Sequence, residues 1–277
     1  MNWIIEPLNY AFMQRSLVAA LIVGAVCSII GCYVVLKSMA FMGDAMAHAI
    51  LPGVAVAYLL QGNLMIGALV TAVIVALGIG YFSKEGTIKE DTVIGIVFSF
   101  ALALGVMLIS SIRSYAVDLS HILFGNLLGV STQDLWITGI LAGVVIVTIL
   151  VLYKPLLVLS FDPILAATLR LPTTLLRYTL LILLSLTIVV SIQSVGVGLV
   201  AAMLVTPAAT AYLLARRLPV MMALSVLFGA VSSLIGLYIS YYANVASGAG
   251  IVITATLIFL AVFLVSPRRL KVNYWRK

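Results

Sequence analysis

An aspartate and a histidine stand four residues apart in the stretch Met42-Gly43-Asp44-Ala45-Met46-Ala47-His48-Ala49-Ile50-Leu51-Pro52-Gly53. Helical spacing of i, i+4 brings Asp44 and His48 onto one face. A carboxylate oxygen and an imidazole nitrogen placed together suit a divalent transition metal. The rest of the chain makes the pair conspicuous, because only 8% of its residues are Asp, Glu, Lys or Arg. Ionisable groups in apolar membrane segments are costly and rarely kept without a job. The competing reading is structural: a local Asp–His hydrogen bond that braces the start of a helix.

A second acid–imidazole pair, Asp118 and His121, sits at i, i+3. It reads either as an entrance site or as an exposed loop histidine with a capping aspartate. Several enzyme templates fail. There is no G-x-x-x-x-G-K-[ST] phosphate loop, and with His48 and His121 the only histidines there is no H-E-x-x-H motif. Gly43-Asp44 lacks the glycine two positions earlier that an intramembrane aspartyl protease needs, since position 41 is Phe. No second buried aspartate lies in a span to complete a carboxylate dyad. Cys27 and Cys32 are five apart in an apolar run, which reads as small buried residues rather than a metal or redox pair.

The elements that must position Asp44 and His48 follow from composition. The chain is 64% hydrophobic with a mean hydropathy of +1.29. Apolar runs of about 20 residues recur along it, the mark of a polytopic helical membrane protein. Nine segments can be drawn, near 16–36, 46–60, 63–82, 92–112, 134–153, 174–194, 197–215, 219–242 and 249–266. The expected fold is therefore all-α, a bundle of eight to nine spanning helices forming one domain over 1–277. The run 16–36 is long enough to span and lacks a clear cleavage site, so a cleavable signal peptide is not expected. Residues 119–130 are apolar but too short to cross, and read as re-entrant or surface-lying.

Net charge is +7, and loop position accounts for it better than nucleic acid does. With a cytoplasmic C-terminal tail carrying Arg268, Arg269, Lys271, Arg276 and Lys277, alternation places all but Arg15 and Arg113 of the 15 basic residues inside. That agrees with the positive-inside rule and leaves the N-terminus outside unless a short segment changes the crossing count. In the long connection from Lys154 to Arg177, Asp162-Pro163 reads as an N-cap and first-turn proline. Ile164 to Leu171 then forms about two turns closed by Pro172. This is either a docking site for a soluble partner or an ordinary loop helix on the membrane surface. Near the next span, Gly196 and Gly198 read as close helix approach and Pro207 as a kink. Thr206 and Thr210 either pack or line a polar route.

A permeation site fits Asp44 and His48 better than catalysis does. One chain supplies too few ligands for a closed cage, and a site that must release its ion should be incomplete. Two copies around a symmetry axis would contribute four ligands. The stretch Gly43 to Gly53 resembles the signature of membrane permeases in the manganese/zinc/iron ABC importer family. The likeness continues through Leu119 to Asn126, Lys154 to Pro163, Met203 to Ala211 and Ser247 to Val252, in the expected order over nearly the full chain.

The resemblance implies a homodimeric permease of a bacterial cytoplasmic membrane. Two copies of an ATP-binding cassette subunit would hydrolyse ATP on the cytoplasmic side, so the chain itself is not expected to be an enzyme. An extracytoplasmic metal-binding protein would deliver the ion. Asp44 and His48 align with the family's metal-coordinating pair. The region 161–172, with Phe161, Asp162, Pro163, Ala166, Leu171 and Pro172, aligns with its coupling helix. Met39-Ala40-Phe41-Met42 and the run from His121 to Gly125 look more like the manganese branch than the zinc branch. Ala47 stands where many members carry Ser. The expected substrate is Mn²⁺, with Zn²⁺ or Fe²⁺ as alternatives, and no cofactor is bound permanently. His48 must be neutral to ligate, so uptake should weaken as it protonates. A proton-coupled metal carrier built from this chain alone is the reading from a different class.

Overall fold

A helix that is apolar on every side has no solvent face and must be covered by neighbours or by lipid. In the computed structural model, which describes residues 6–83, 90–111 and 127–266, the first such helix, α1 (Ala11–Leu36), is among those most covered by protein. The chain continues through α2 (Met42–Ala49), α3 (Leu51–Leu59), α4 (Leu64–Phe82), α5 (Glu90–Ser110) and α6 (Thr132–Val151), of which α6 packs against α1. The second half runs through α7 (Tyr153–Phe161), α8 (Pro163–Thr168), α9 (Thr173–Val195), α10 (Val197–Leu214), α11 (Leu218–Ala243) and α12 (Ser247–Val265). Two short 3₁₀ turns complete the described elements, Pro7–Asn9 and Leu127–Gly129.

Eight stretches among the described residues are long and apolar enough to cross a membrane, with α2 and α3 counted as one; the apolar stretch 198–214 is shorter. This is the all-α polytopic bundle that the hydropathy pattern predicts. Asp118 and His121, the entrance-site candidates, lie outside the described residues, as does most of 119–130.

In an apolar medium helices associate through close packing, which small residues permit. α1 shows this directly. A Cβ added at Gly31 would collide with the Leu204 carbonyl of α10, and one at Gly24 would sit 3.0 Å from Met203 Cε. On its other side, the hydroxyls of Ser225 and Ser233 in α11 donate to the carbonyls of Ser28 and Ala20 at 3.1 and 3.4 Å. Cys27 and Cys32 are both buried in α1, and Cys32 Sγ donates to the Ser28 carbonyl at 3.2 Å. Their role as small packed residues agrees with the sequence.

The long connection differs from its expected form. Tyr153 to Phe161 is helical, so the chain turns at Leu152 and continues as α7. Pro155 does not prevent this, because a first-turn residue has no intrahelical bond to donate. Asp162 caps α8 as expected, its Oδ1 accepting from the backbone N–H groups of Ile164 and Leu165 at 3.0 and 2.9 Å. The helix is shorter than two turns. It ends at Thr168, and Arg170 takes a left-handed φ of 54°. Leu171 N–H then bonds the Ala166 carbonyl and Arg170 N–H the Ala167 carbonyl, a Schellman closure. Arg170 therefore ends the helix, and Pro172 instead caps the start of α9. Replacing Asp162 with Ala should cost about 1 kcal/mol of local helix stability. Faster amide exchange at Ile164 and Leu165, with the rest of the bundle unchanged, would register it.

Gly196 has a φ of 85° and forms the joint between α9 and α10. Its backbone conformation, which side chains rarely adopt, is the reason for a glycine there. Gly198 is exposed, and an added Cβ would meet no described atom within 4 Å. Among the described residues it makes no close approach, contrary to the expectation from sequence. Pro207 lies inside α10 as the sequence indicates.

Candidate functional site

The membrane span carrying Asp44 and His48 is broken. Pro52 has no N–H to give the His48 carbonyl four residues back, and the helix is interrupted at Ile50. The result is an eight-residue helix, α2, with Asp44 in its first turn and His48 in its last. The placement of Asp44 suits the helix dipole, which favours an anion at the N-terminus.

α2 and α3 are held by glycine crossings on several sides. Gly43 faces Leu204 of α10, a Cβ there falling 2.9 Å from Leu204 Cδ2. Gly53 of α3 lies against Gly67 and Thr71 of α4, where a Cβ would collide with the Gly67 carbonyl and the Thr71 hydroxyl. Gly105 of α5 lies under Leu51 and Pro52, with the Leu51 Cβ at 2.8 Å from an added methyl. The sequence motif is thus mostly scaffold: Met42, Met46, Ala47, Ala49 and Ile50 are all buried.

Asp44 and His48 are the residues of α2 that this scaffold leaves accessible. Their side chains are 57% and 29% exposed, with Asp44 Oδ1 at 3.6 Å from His48 Nε2. That separation is too long for a hydrogen bond, so the bracing interaction is not formed here. The two donor atoms lie at a separation that one ion could bridge. Phe98 of α5 stands beside the imidazole, ring centroids 6.1 Å apart. Among the described residues, no group of three or more His, Cys, Asp and Glu side chains is close enough to hold a metal ion. Asp44 and His48 therefore offer two donor groups, fewer than a closed metal site needs.

At the end of the bundle that carries α8, a second polar cluster appears that the sequence did not reveal. Arg177 of α9 pairs with Glu90 at the start of α5, Nη2 to Oε1 at 2.9 Å. Arg177 also donates to the carbonyl and hydroxyl of Ser83, which caps α4. The cluster borders a cavity of about 330 Å³ lined also by Lys37, Pro163 and Thr173. Burial holds the Lys37 ammonium below the usual lysine range, with Glu90 opposing that shift. Arg177 and Glu90 are 87 residues apart, and no local pattern links them.

α8 presents the other exposed surface of note. Ala166 is buried, but Phe161 and Ile164 are 61% and 79% exposed, with Leu165 and Leu169 beside them. Leu171 packs against the core.

Comparison with known proteins agrees with this architecture. The manganese transport system membrane protein MntC of Halalkalibacterium halodurans is 48% identical over 272 residues, covering 98% of this chain and 93% of that protein. A probable iron transport system membrane protein of Haemophilus influenzae is 41% identical, covering 98% of this chain and 99% of its own length. Among solved structures, PsaBC from Streptococcus pneumoniae in complex with Fab matches with a TM-score of 0.86 and 44% identity, over 98% of both chains. The family model for the ABC 3 transport family matches residues 9–266. With that match spanning nearly its whole length, the chain belongs to the ABC 3 transport family.

Proposed function

We propose that this chain is the permease subunit of an ATP-driven importer of Mn²⁺, and that Asp44 and His48 are its transit ligands. The observation that carries the reading is an accessible carboxylate and imidazole on a broken helix inside an otherwise apolar bundle. A carboxylate at membrane depth needs protein or water in front of it, not lipid. A second copy of the chain meets that need and doubles the donor set to two carboxylates and two imidazoles. Relatives named for manganese transport support the choice of ion. The iron-named relative keeps Fe²⁺ in view, and imidazole with carboxylate also accepts Zn²⁺.

In this reading the protein lies in a bacterial cytoplasmic membrane with its C-terminus inside. An extracytoplasmic binding protein hands the ion to the outward-facing dimer, and Asp118 with His121 serves as a possible first contact. Two ATP-binding subunits receive α8, whose exposed apolar residues 161, 164, 165 and 169 fit a groove on a soluble partner. Residues 161–172 then act as the coupling helix of a single permease domain. ATP hydrolysis belongs to those separate subunits.

The test is uptake by the reconstituted permease, ATPase and binding protein with Mn²⁺, Zn²⁺ and Fe²⁺ in competition. Mn²⁺ should accumulate only with ATP and should resist the competitors. Preferential uptake of zinc or iron would reassign the ion. Transport by the permease alone, driven by a proton gradient, would replace the importer with a stand-alone carrier.

A further inference from the structure

We infer that Arg177 is a positioning residue for transport, clamping the metal-bearing part of the bundle to the segment that follows the coupling helix. The inference rests on the importer reading above and adds a route by which α8 moves the ion site.

The clamp is built from one side chain and two helix ends. Arg177 lies in the second turn of α9, only a short connection beyond α8. Its Nη1 donates to the Ser83 carbonyl at 3.1 Å and its Nη2 to the Ser83 hydroxyl at 2.8 Å. Its Nε donates to Glu90 Oε1 at 3.2 Å, and Nη2 lies 2.9 Å from the same oxygen. Ser83 ends α4 and Glu90 begins α5, so one planar guanidinium ties together the facing ends of both helices. A guanidinium can do this because its donors diverge in a fixed plane, whereas an ammonium is a single point charge. The pair is roughly three-quarters buried on each side, 24% and 25% exposed, so water replaces these contacts poorly.

On one side, Pro163 at the start of α8 lines the same cavity as Arg177 and Glu90. Leu171, just before α9, is bonded back to Ala166 of α8. A displacement of α8 is therefore passed to the first turns of α9. On the other side, α5 carries Phe98 against the His48 ring and packs along α2 and α3. α4 grips α3 through Gly53 and Gly67. A pull on Ser83 and Glu90 is a pull on the two helices that hold the broken one. Without the clamp, α8 can still bind its partner, but its motion has a weaker hold on α4 and α5.

The experiment uses the full transporter in proteoliposomes and reads metal ions accumulated per ATP hydrolysed. The variants are Arg177→Lys, Glu90→Gln and the charge exchange Arg177→Glu with Glu90→Arg. Both single substitutions are conservative in size. They should leave ATP hydrolysis within about twofold of wild type and lower the transport-to-hydrolysis ratio at least about fivefold. The exchange should recover part of that ratio. A wild-type ratio in both Arg177→Lys and Glu90→Gln would overturn the clamp, as would a parallel loss of hydrolysis and transport in both. Uptake by the wild-type assembly is scored separately, in whichever divalent ion it carries. A failure there counts against the importer reading and not against Arg177.

Discussion

Asp44→Ala and His48→Ala should each reduce metal uptake by at least about 100-fold while the permease still reaches the membrane. The size follows from symmetry. In a dimer each substitution removes two ligands, and if each is worth about 1.4 kcal/mol or more, affinity falls tenfold twice over. Stability should change little, because both side chains are accessible and are not within hydrogen-bond distance of each other. That separation of effects makes the test sharp. Cellular Mn²⁺ accumulation gives the transport readout, and membrane immunoblots with size-exclusion profiles give the folding readout. Normal uptake by either variant at normal expression would remove that residue from the transit site. Asp44→Glu should keep the charge but displace it by one methylene, giving an intermediate loss.

Gly53→Val is expected to have the opposite profile, with loss of the folded protein coming first. The position sits where α3 crosses α4, and even a single methyl would run into the Gly67 carbonyl and the Thr71 hydroxyl. The backbone on the other side cannot rotate away as a side-chain tip would. Overpacking of this kind costs about 3 kcal/mol or more when helices must separate. A lower melting midpoint in detergent and a broadened elution profile would report it. Gly78→Ala supplies the control on the partner helix α4, since a Cβ at Gly78 meets no described atom within 4 Å. Equal melting of the two variants would show that the α3–α4 crossing contributes little.

The fold was largely legible because hydropathy is a one-dimensional signal. Each of the nine apolar runs corresponds to helical chain. What stayed hidden depends on local backbone choice or on contacts distant in sequence. Arg170 ends α8 in a left-handed conformation, and nothing in an arginine announces that. Lys154 and Pro155 look like the start of a connection, although a first-turn proline is compatible with the helix that runs from Tyr153 to Phe161. At the site, the i, i+4 spacing put Asp44 and His48 on one face. Phe98 could not be anticipated, since it reaches His48 from another helix. Arg177 and Glu90 entered the sequence reading only as charges, one of them counted toward orientation. Their pairing is a tertiary fact.

The proline break has one more consequence. A continuous helix resists bending because tilting one half stretches backbone bonds across the join. Here the bond from residue 52 to His48 is absent by chemistry, so α2 is joined to α3 by a softened seam. The carboxylate and imidazole thus ride on a short plate that can change its inclination while α3 stays fixed against α4. In the importer proposed above, a change of pitch in these eight residues would carry part of the ion's change of exposure between the two sides of the membrane.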